Sequence, residues 1–435
     1  MTQKPRAPDS AYAWYVVFIL LLAYTLSYVD RQILSLMVGP IRRDLHLSDT
    51  QLSLLHGFAF ALFYTFLGIP LGWWADRRTR KSLIGVGLGV WGIATAACGF
   101  TATFWQLFTT RVFVGVGEAA LSPAAYSMIS DYFSREKRGR ALSVYATGVA
   151  FGAGLAAVLG GVAIGFAGDV AQHLEQFGLH FHDWQVVFIM VGIPAAFLLP
   201  FVFGLAEPMR LEIGKLSGNA WQDFTAGLAA IGARGNIYLP AIFGLALTAI
   251  VNYGALAWVP SYFIRVFHWT PPQIGLAFGL TVMAFGASGM TIAGILADWL
   301  VTRGRRDGHV IVMVTGAIFA IAPAAAFSFL KTDIHALMAI GTLMFFLMFP
   351  IGLGPALLQS VTPNELRGQV SALYLFVVNL IALGFGPTIV AATSDYLFHD
   401  EMMIGRALAV VTWVVLPIAI ILLLIARPHA RDHAV

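Results

Sequence analysis

The chain has 435 residues, 59% hydrophobic and only 11% charged, with 26 Lys and Arg against 22 Asp and Glu, and a mean hydropathy of +0.79. A soluble domain carries roughly 25% charged residues, so this composition excludes a soluble globular protein and defines a polytopic membrane protein. Its basic pI of 9.2 needs no nucleic acid to explain it, because cytoplasmic loops of membrane proteins collect Lys and Arg.

In lipid every backbone polar group must be satisfied within its own segment, so the apolar stretches are helices. At about 20 residues per span, the predicted helices in chain order are 13–38, 51–74, 82–101, 104–130, 141–166, 184–206, 237–265, 272–298, 309–330, 334–360, 369–396 and 405–426. The first follows Lys4 and Arg6 as a signal peptide would. It is too long for one, holds Asp30 and Arg31, and has no small-residue cleavage pattern after it, so it reads as a retained helix. With both termini cytoplasmic, 19 of the 26 Lys and Arg fall inside and five outside, leaving Arg31 and Arg111 within spans.

The longest polar connection, about 207–236, contains the amphipathic stretch AWQDFTAGLAAIGA and joins two halves, 1–206 and 237–435. Three matches in one order make these halves a repeat. GWWAD at Gly72 to Asp76 recurs as GILAD at Gly294 to Asp298. Arg138-Gly139 with Tyr145 recurs as Arg367-Gly368 with Tyr374, and GVGEA at Gly115 recurs as GLGPA at Gly352. The expected fold is therefore all-α, with twelve transmembrane helices in two pseudo-symmetric six-helix bundles.

Charges inside spans are costly, roughly 2.5–3.5 kcal/mol each on insertion scales, and mark function by default. Only four sit deep: Asp30 and Arg31 in the first helix, Arg111 and Glu118 in the fourth. Asp30 and Arg31 are adjacent, so on a helix they diverge by about 100° and each needs a partner elsewhere. Arg111 and Glu118 are seven apart, about 10 Å along one helical face. The second repeat has Pro355 where the first has Glu118, so the shared fold does not require this acid. If the four converge, protonating one carboxylate releases an arginine, the composition a proton-coupled carrier needs.

The loop GWWADRRTRK after the second helix offers Gly72 for close approach, Asp76 for a helix N-terminus, and Arg77 and Arg80 for acids, a set able to latch one state from inside. The fifth helix carries Gly148, Gly152, Gly154, Gly160 and Gly161, permitting tight packing; it resembles an antiporter motif, but Ala153 stands where proline is expected. In the eleventh, NLIALGFGP from Asn379 to Pro387 reads as a hinge. His56 is the one histidine beyond the first two residues of a span and reads as a packing residue. His180 and His182 lack a third ligand, so no metal is expected. Without phosphate loop, HExxH or nucleophile elbow, neither a cofactor, ATP-driven transport nor an enzyme is expected.

The segments YVDRQ, GIPLGWWADRRTRK, RVFVGVGEAALSPAAYSMISDYF and NLIALGFGP followed by SD carry a resemblance to the major facilitator superfamily and, within it, to the spinster-type (sphingolipid and lysolipid) transporters and their bacterial relatives. Thr79 departs from the glycine of the superfamily's loop signature. The resemblance implies alternating access by two bundles and proton coupling through Asp30 and Glu118, with Arg31 and Arg111 as charge partners or anion binders. It also implies an inside gate of Gly72, Asp76, Arg77 and Arg80 with Asp131 in contact. Tyr28 from the first half, with Asn252, Tyr253, Trp258, Tyr262, Gln359 and Asn379 from the second, is expected to line a cavity suited to an ionic head and an apolar tail. The expected protein is a monomeric, proton-coupled secondary transporter of a bacterial inner membrane, exporting an amphipathic lipid-like or organic solute by antiport. The alternative is a proton or sodium symporter importing small organic acids.

Overall fold

The computed structural model describes residues 9–75, 77–209, 225, 228–229, 231–362 and 367–433. Twelve helices long and apolar enough to cross a membrane are found among them. We number them α1 (Ala11–Leu36), α2 (Asp49–Ala75), α3 (Arg80–Cys98), α4 (Phe104–Tyr132), α5 (Phe151–Glu175), α6 (Asp183–Gly204), α7 (Gly235–Val266), α8 (Pro271–Thr302), α9 (Gly308–Phe329), α10 (Asp333–Val361), α11 (Gln369–Phe398) and α12 (Glu401–Pro428). The chain is an integral, multi-pass membrane protein. Most expected ends shift by a few residues. The fifth helix differs more, starting at Arg135 and running to Glu175 rather than ending at 166. Its last turns, AGDVAQHLE, form helix readily but are too polar for a hydropathy window to count as span. The expected amphipathic stretch at 220–233 and Asp76 lie wholly or mostly outside the described residues.

Local chemistry fixes the helix starts. Ser10 accepts a hydrogen bond from the Ala13 amide at 3.3 Å to open α1. Ser48 and Gln51 form a reciprocal capping box at α2, and Thr103 accepts from the Gln106 amide at α4. Among the described residues four π-helical stretches interrupt the spans: Leu54–Phe58 in α2, Val282–Gly286 in α8, and Asn379–Leu383 and Thr393–Phe398 in α11. The third has a visible cause, since Pro387 lacks the amide that would bond the Leu383 carbonyl four residues back.

The chain divides into two compact units, Met1–Leu47 with Ala59–Gly218 and Pro271–Gly279, and Ser48–Phe58 with Asn219–Thr270 and Leu280–Val435. Compared with a cut at the 207–236 connection, the first turns of α2 and of α8 are exchanged. Glycines explain both. A Cβ on Gly57 would lie 2.5 Å from the Leu383 carbonyl oxygen of α11, and one on Gly275 would lie 2.5 Å from the Ala157 carbonyl oxygen of α5. In the first unit α1 packs on α5, α3 on α4 and α6, and α2 on α4. In the second α7 packs on α11, α9 on α10 and α12, and α8 on α10. The same partnerships recur, as a repeat requires.

Candidate functional site

The site begins with the glycines of GVGE. A Cβ on Gly115 would come 2.5 Å from the Phe60 carbonyl oxygen of α2, and one on Gly117 2.6 Å from the Trp91 amide of α3. Only hydrogen fits at either place, so α2 and α3 press on α4 from two sides just before Glu118. There α4 breaks: its first segment ends at Glu118 and a second starts at Leu121. Pro123 accounts for the break, because it cannot bond the Ala119 carbonyl. α10, the matching helix of the second unit, is continuous from Asp333 to Val361 despite Pro350 and Pro355. The discontinuity belongs to the half that holds the charges.

At this break Glu118 meets α1. The Glu118 Oε2 accepts from Arg31 Nε at 2.7 Å and lies 2.6 Å from Arg31 Nη2. The glutamate side chain has no exposed surface and that of Arg31 is 12% exposed. About two turns before Glu118 on α4, Arg111 Nη1 donates to the Asp30 backbone carbonyl at 3.1 Å. The four charges converge, but unevenly. Arg31 and Glu118 form an ion pair, whereas Arg111 binds the backbone of Asp30 rather than its carboxylate. Asp30 Oδ1, Glu118 Oε1, and Arg111 Nε and Nη2 are buried without hydrogen-bond partners. Buried polar groups left unmatched are uncommon in folded proteins and are costly. Here they form a concentrated reserve of donors and acceptors.

Aromatic rings surround Arg31. Its guanidinium carbon is 4.5 Å from the centroid of Phe60, 4.7 Å from Tyr64 and 5.2 Å from Tyr28. Tyr24 stacks on Tyr145 at 4.9 Å, and Tyr126 meets Tyr145 edge-on at 5.3 Å. Of these rings the sequence marks only Tyr28 as a cavity residue, and Tyr145 only as part of the repeat. The α2 rings carry no polar pattern that hydropathy would flag.

At the end of the first unit lined by the basic loop, Arg80 is fully buried and gathers four acceptors. It bonds Asp131, Glu207 Oε1 at 2.7 Å, Ser127 Oγ at 2.9 Å and the Pro208 carbonyl at 3.1 Å. Glu207 also accepts the amides of Arg80 and Lys81, each at 3.1 Å, and so caps α3. Sequence reasoning left Glu207 in the linker, although an acid directly after α6 and facing a basic run was the available signal. Arg77 lies over the Trp73 ring at 4.1 Å, and Gly72 faces Pro123 at ordinary contact distance. The second unit has the same joint with its charges reversed: Arg427 at the end of α12 donates to Asp307 before α9 at 2.7 Å.

In the second unit Trp258 donates its indole N–H to the Pro387 carbonyl at 2.8 Å, and Tyr262 donates to the Phe327 carbonyl at 3.3 Å. Both are buried. Their polar groups are committed to backbone, which leaves the ring faces for any further contact. Asn252 is buried with Oδ1 unmatched. Tyr253 and Asn379 are half-buried and Gln359 is exposed. The same unit holds a buried clip that sequence reasoning missed. Arg265 grips Asp49 through Nη1 at 2.6 Å and Nη2 at 2.8 Å, and Asp395 accepts the amide and hydroxyl of Thr50 at 2.8 and 2.7 Å.

Two six-helix repeats with an ion pair inside the spans define a membrane transporter of the twelve-helix carrier type. The chain belongs to the Major Facilitator Superfamily, whose sequence pattern matches residues 20–387. It is 30% identical over 403 residues to an MFS-type efflux pump of Mycolicibacterium smegmatis, covering 91% of this chain and 88% of the relative. It is 28% identical over 404 residues to protein spinster homolog 1 of Xenopus tropicalis, covering 87% of this chain and 72% of the relative. Its fold matches the crystal structure of a bacterial homologue of the human lysosomal transporter Spinster, with a TM-score of 0.80 at 24% identity over 98% of this chain and 97% of that one. The family and fold are those of membrane transporters acting on small molecules.

Proposed function

We propose that this chain is a proton-coupled secondary active transporter that works by alternating access and exports an amphipathic, lipid-like or organic solute. The observation that carries the reading is the Arg31–Glu118 pair, an ionised couple sealed inside the spans at a helix break that the fold does not need. A proton on Glu118 removes the charge that holds Arg31, and a buried cation without its counter-ion drives rearrangement. Asp30 and Arg111, beside the pair with unmatched polar atoms, supply the second acid and base. An efflux pump and a spinster protein among the relatives support export of an amphiphile.

The cytoplasmic latch in this reading is Arg80 with Asp131, together with Gly72, Asp76 and Arg77 of the same sequence motif. Within the first unit Tyr28, and within the second Asn252, Tyr253, Trp258, Tyr262, Gln359 and Asn379, are the solute contacts in this reading. The uneven distribution of Lys and Arg supports cytoplasmic termini in a bacterial inner membrane, and in this reading the protein acts as a monomer. The experiment is a thermal-shift panel of lysophosphatidylcholine, sphingosine-1-phosphate, a long-chain quaternary amine and L-galactonate, followed by proteoliposome accumulation of the stabilising probe under an imposed pH gradient. Stabilisation grows as the logarithm of ligand concentration over Kd, so weak binders register. The reading predicts accumulation against its gradient that is lost in Glu118→Gln. Stabilisation by L-galactonate alone favours an organic-acid symporter, and accumulation indifferent to the pH gradient refutes proton coupling.

A further inference from the structure

Arg31 has two sets of partners of different kinds. One is the Glu118 carboxylate, bonded through a single oxygen. The other is a sleeve of rings, Phe60 and Tyr64 from consecutive turns of α2 and Tyr28 from α1, all within 5.2 Å of its guanidinium carbon. Phe60 and Tyr64 stack on one another at 5.1 Å with planes 24° apart, so α2 presents them as one surface.

Several titratable or charged groups face this place. α1 brings Asp30, Tyr24 and Tyr28, α2 brings Tyr64, and α4 brings Glu118, Arg111 and Tyr126. The helix containing α5 brings Tyr145. α3 adds the neutral Thr95 beside Asp30 and the buried Cys98 thiol, which faces Arg111 and Asp30. Glu118 is thus the one carboxylate bonded to Arg31 among the described residues. Asp30 is its neighbour in sequence and leaves α1 about 100° away.

When Glu118 accepts a proton, as the proposed function requires, Arg31 keeps its charge and loses its carboxylate. It then has the rings. A guanidinium over an aromatic face is held by the ring quadrupole, most strongly where water is excluded, and the Arg31 side chain is only 12% exposed. We infer that Tyr64, together with Phe60, is a positioning residue that holds the Arg31 cation through the protonated half of the cycle and so sets the pH at which Glu118 takes its proton.

The direction follows from the difference between the two states. The rings stabilise Arg31 in both, but more where no carboxylate neutralises it. Removing a ring therefore penalises the protonated state and moves the midpoint of Glu118 to lower pH. Part of the ring's attraction cancels between the states, so Tyr64→Leu should lower the midpoint by on the order of half a pH unit. Tyr64→Phe keeps the face and should leave the midpoint where it was.

The inference rests on the transport reading, and the experiment separates the two. Full-length protein in lipid nanodiscs, with no solute added, is titrated while the infrared carboxylic-acid band is followed, and the band is assigned with Glu118→Gln and Asp30→Asn. The expected result is a band lost in Glu118→Gln whose midpoint falls in Tyr64→Leu and is restored in Tyr64→Phe. Phe60→Leu, which leaves the α2 backbone against Gly115, is the second variant and should shift the midpoint the same way. A Glu118 band whose midpoint is unmoved or raised in both leucine variants overturns the positioning role and leaves the transport reading standing. A band that survives Glu118→Gln and vanishes in Asp30→Asn puts the proton on Asp30 and overturns both the positioning role and the coupling role given to Glu118.

Discussion

Replacing Arg80 by alanine tests how the first unit is held at its basic end. The side chain is 1% exposed and serves two carboxylates, Asp131 at 12% exposure and Glu207 at 24%, besides Ser127 and the Pro208 carbonyl. Removing one partner of a buried ion pair costs about 3–5 kcal/mol, because the remaining charge is left uncompensated. Both acids retain some contact with solvent, which puts the expected loss near the lower end, about 3 kcal/mol. Lysine cannot reach four acceptors arranged around a planar fork, so Arg80→Lys should recover only about half of this. Glu207→Gln keeps an oxygen for the α3 amides and loses the charge, at about 1 kcal/mol. Cys98, the only cysteine and fully buried, ends the helix that Arg80 begins. A thiol-reactive fluorophore on detergent-purified protein therefore reports this unit opening as temperature rises. On the scale of soluble domains about 3 kcal/mol corresponds to roughly 6–12 °C, with the order Arg80→Ala, Arg80→Lys, Glu207→Gln from most to least damaging. An Arg80→Ala protein that opens within about 1 °C of its parent would refute the reasoning.

Burial pushes the Asp307 carboxyl up, but the hydrogen bond and charge of Arg427, with Asp307's own amide and Arg305, outweigh it and hold the group below its ordinary value of 3.8. A depressed folded value gives stability that is complete above 3.8 and lost as pH falls through the folded value. Because Arg427 is 39% exposed, Arg427→Gln should cost only about 1 kcal/mol at neutral pH, and acid denaturation curves of the two proteins should merge below the ordinary carboxylate range. Asp49→Ala leaves Arg265 without its bidentate partner, so a cysteine at buried Leu52, in a Cys98→Ala background, should react with maleimide several-fold faster; equal rates would show that the clip holds nothing. Gly115→Ala drives a methyl to 2.5 Å of the Phe60 carbonyl oxygen, and since that obstacle is backbone the expected cost is about 1–3 kcal/mol, read as a lower unfolding temperature.

Hydropathy and charge reveal most of the fold in the sequence, because lipid imposes one rule on every span. The number of helices, the two repeats and the four deep charges follow from it. What pairs with what does not. Adjacency of Asp30 and Arg31 says that each looks elsewhere, but not that Arg111 takes the Asp30 carbonyl while Glu118 takes Arg31, which depends on helix rotation fixed by Gly115 and Gly117. The α2 rings around Arg31 are apolar or weakly polar residues in an apolar helix, indistinguishable by composition from those facing lipid. Trp258 and Tyr262 show another detail that composition hides: a buried indole or phenol first satisfies its hydrogen, here with the Pro387 and Phe327 carbonyls, which leaves the ring faces for other contacts. The Asp49–Arg265 clip joins residues 216 apart, and no local pattern announces it.

The central claim is that solute movement is tied to a proton on Glu118. Proteoliposomes loaded with a pH-sensitive dye, given lysophosphatidylcholine on one side, measure this directly as proton movement started by the probe. The account predicts a proton flux in the parent protein that disappears in Glu118→Gln while the variant still binds the probe by thermal shift. Proton flux at the parent rate in Glu118→Gln would contradict it.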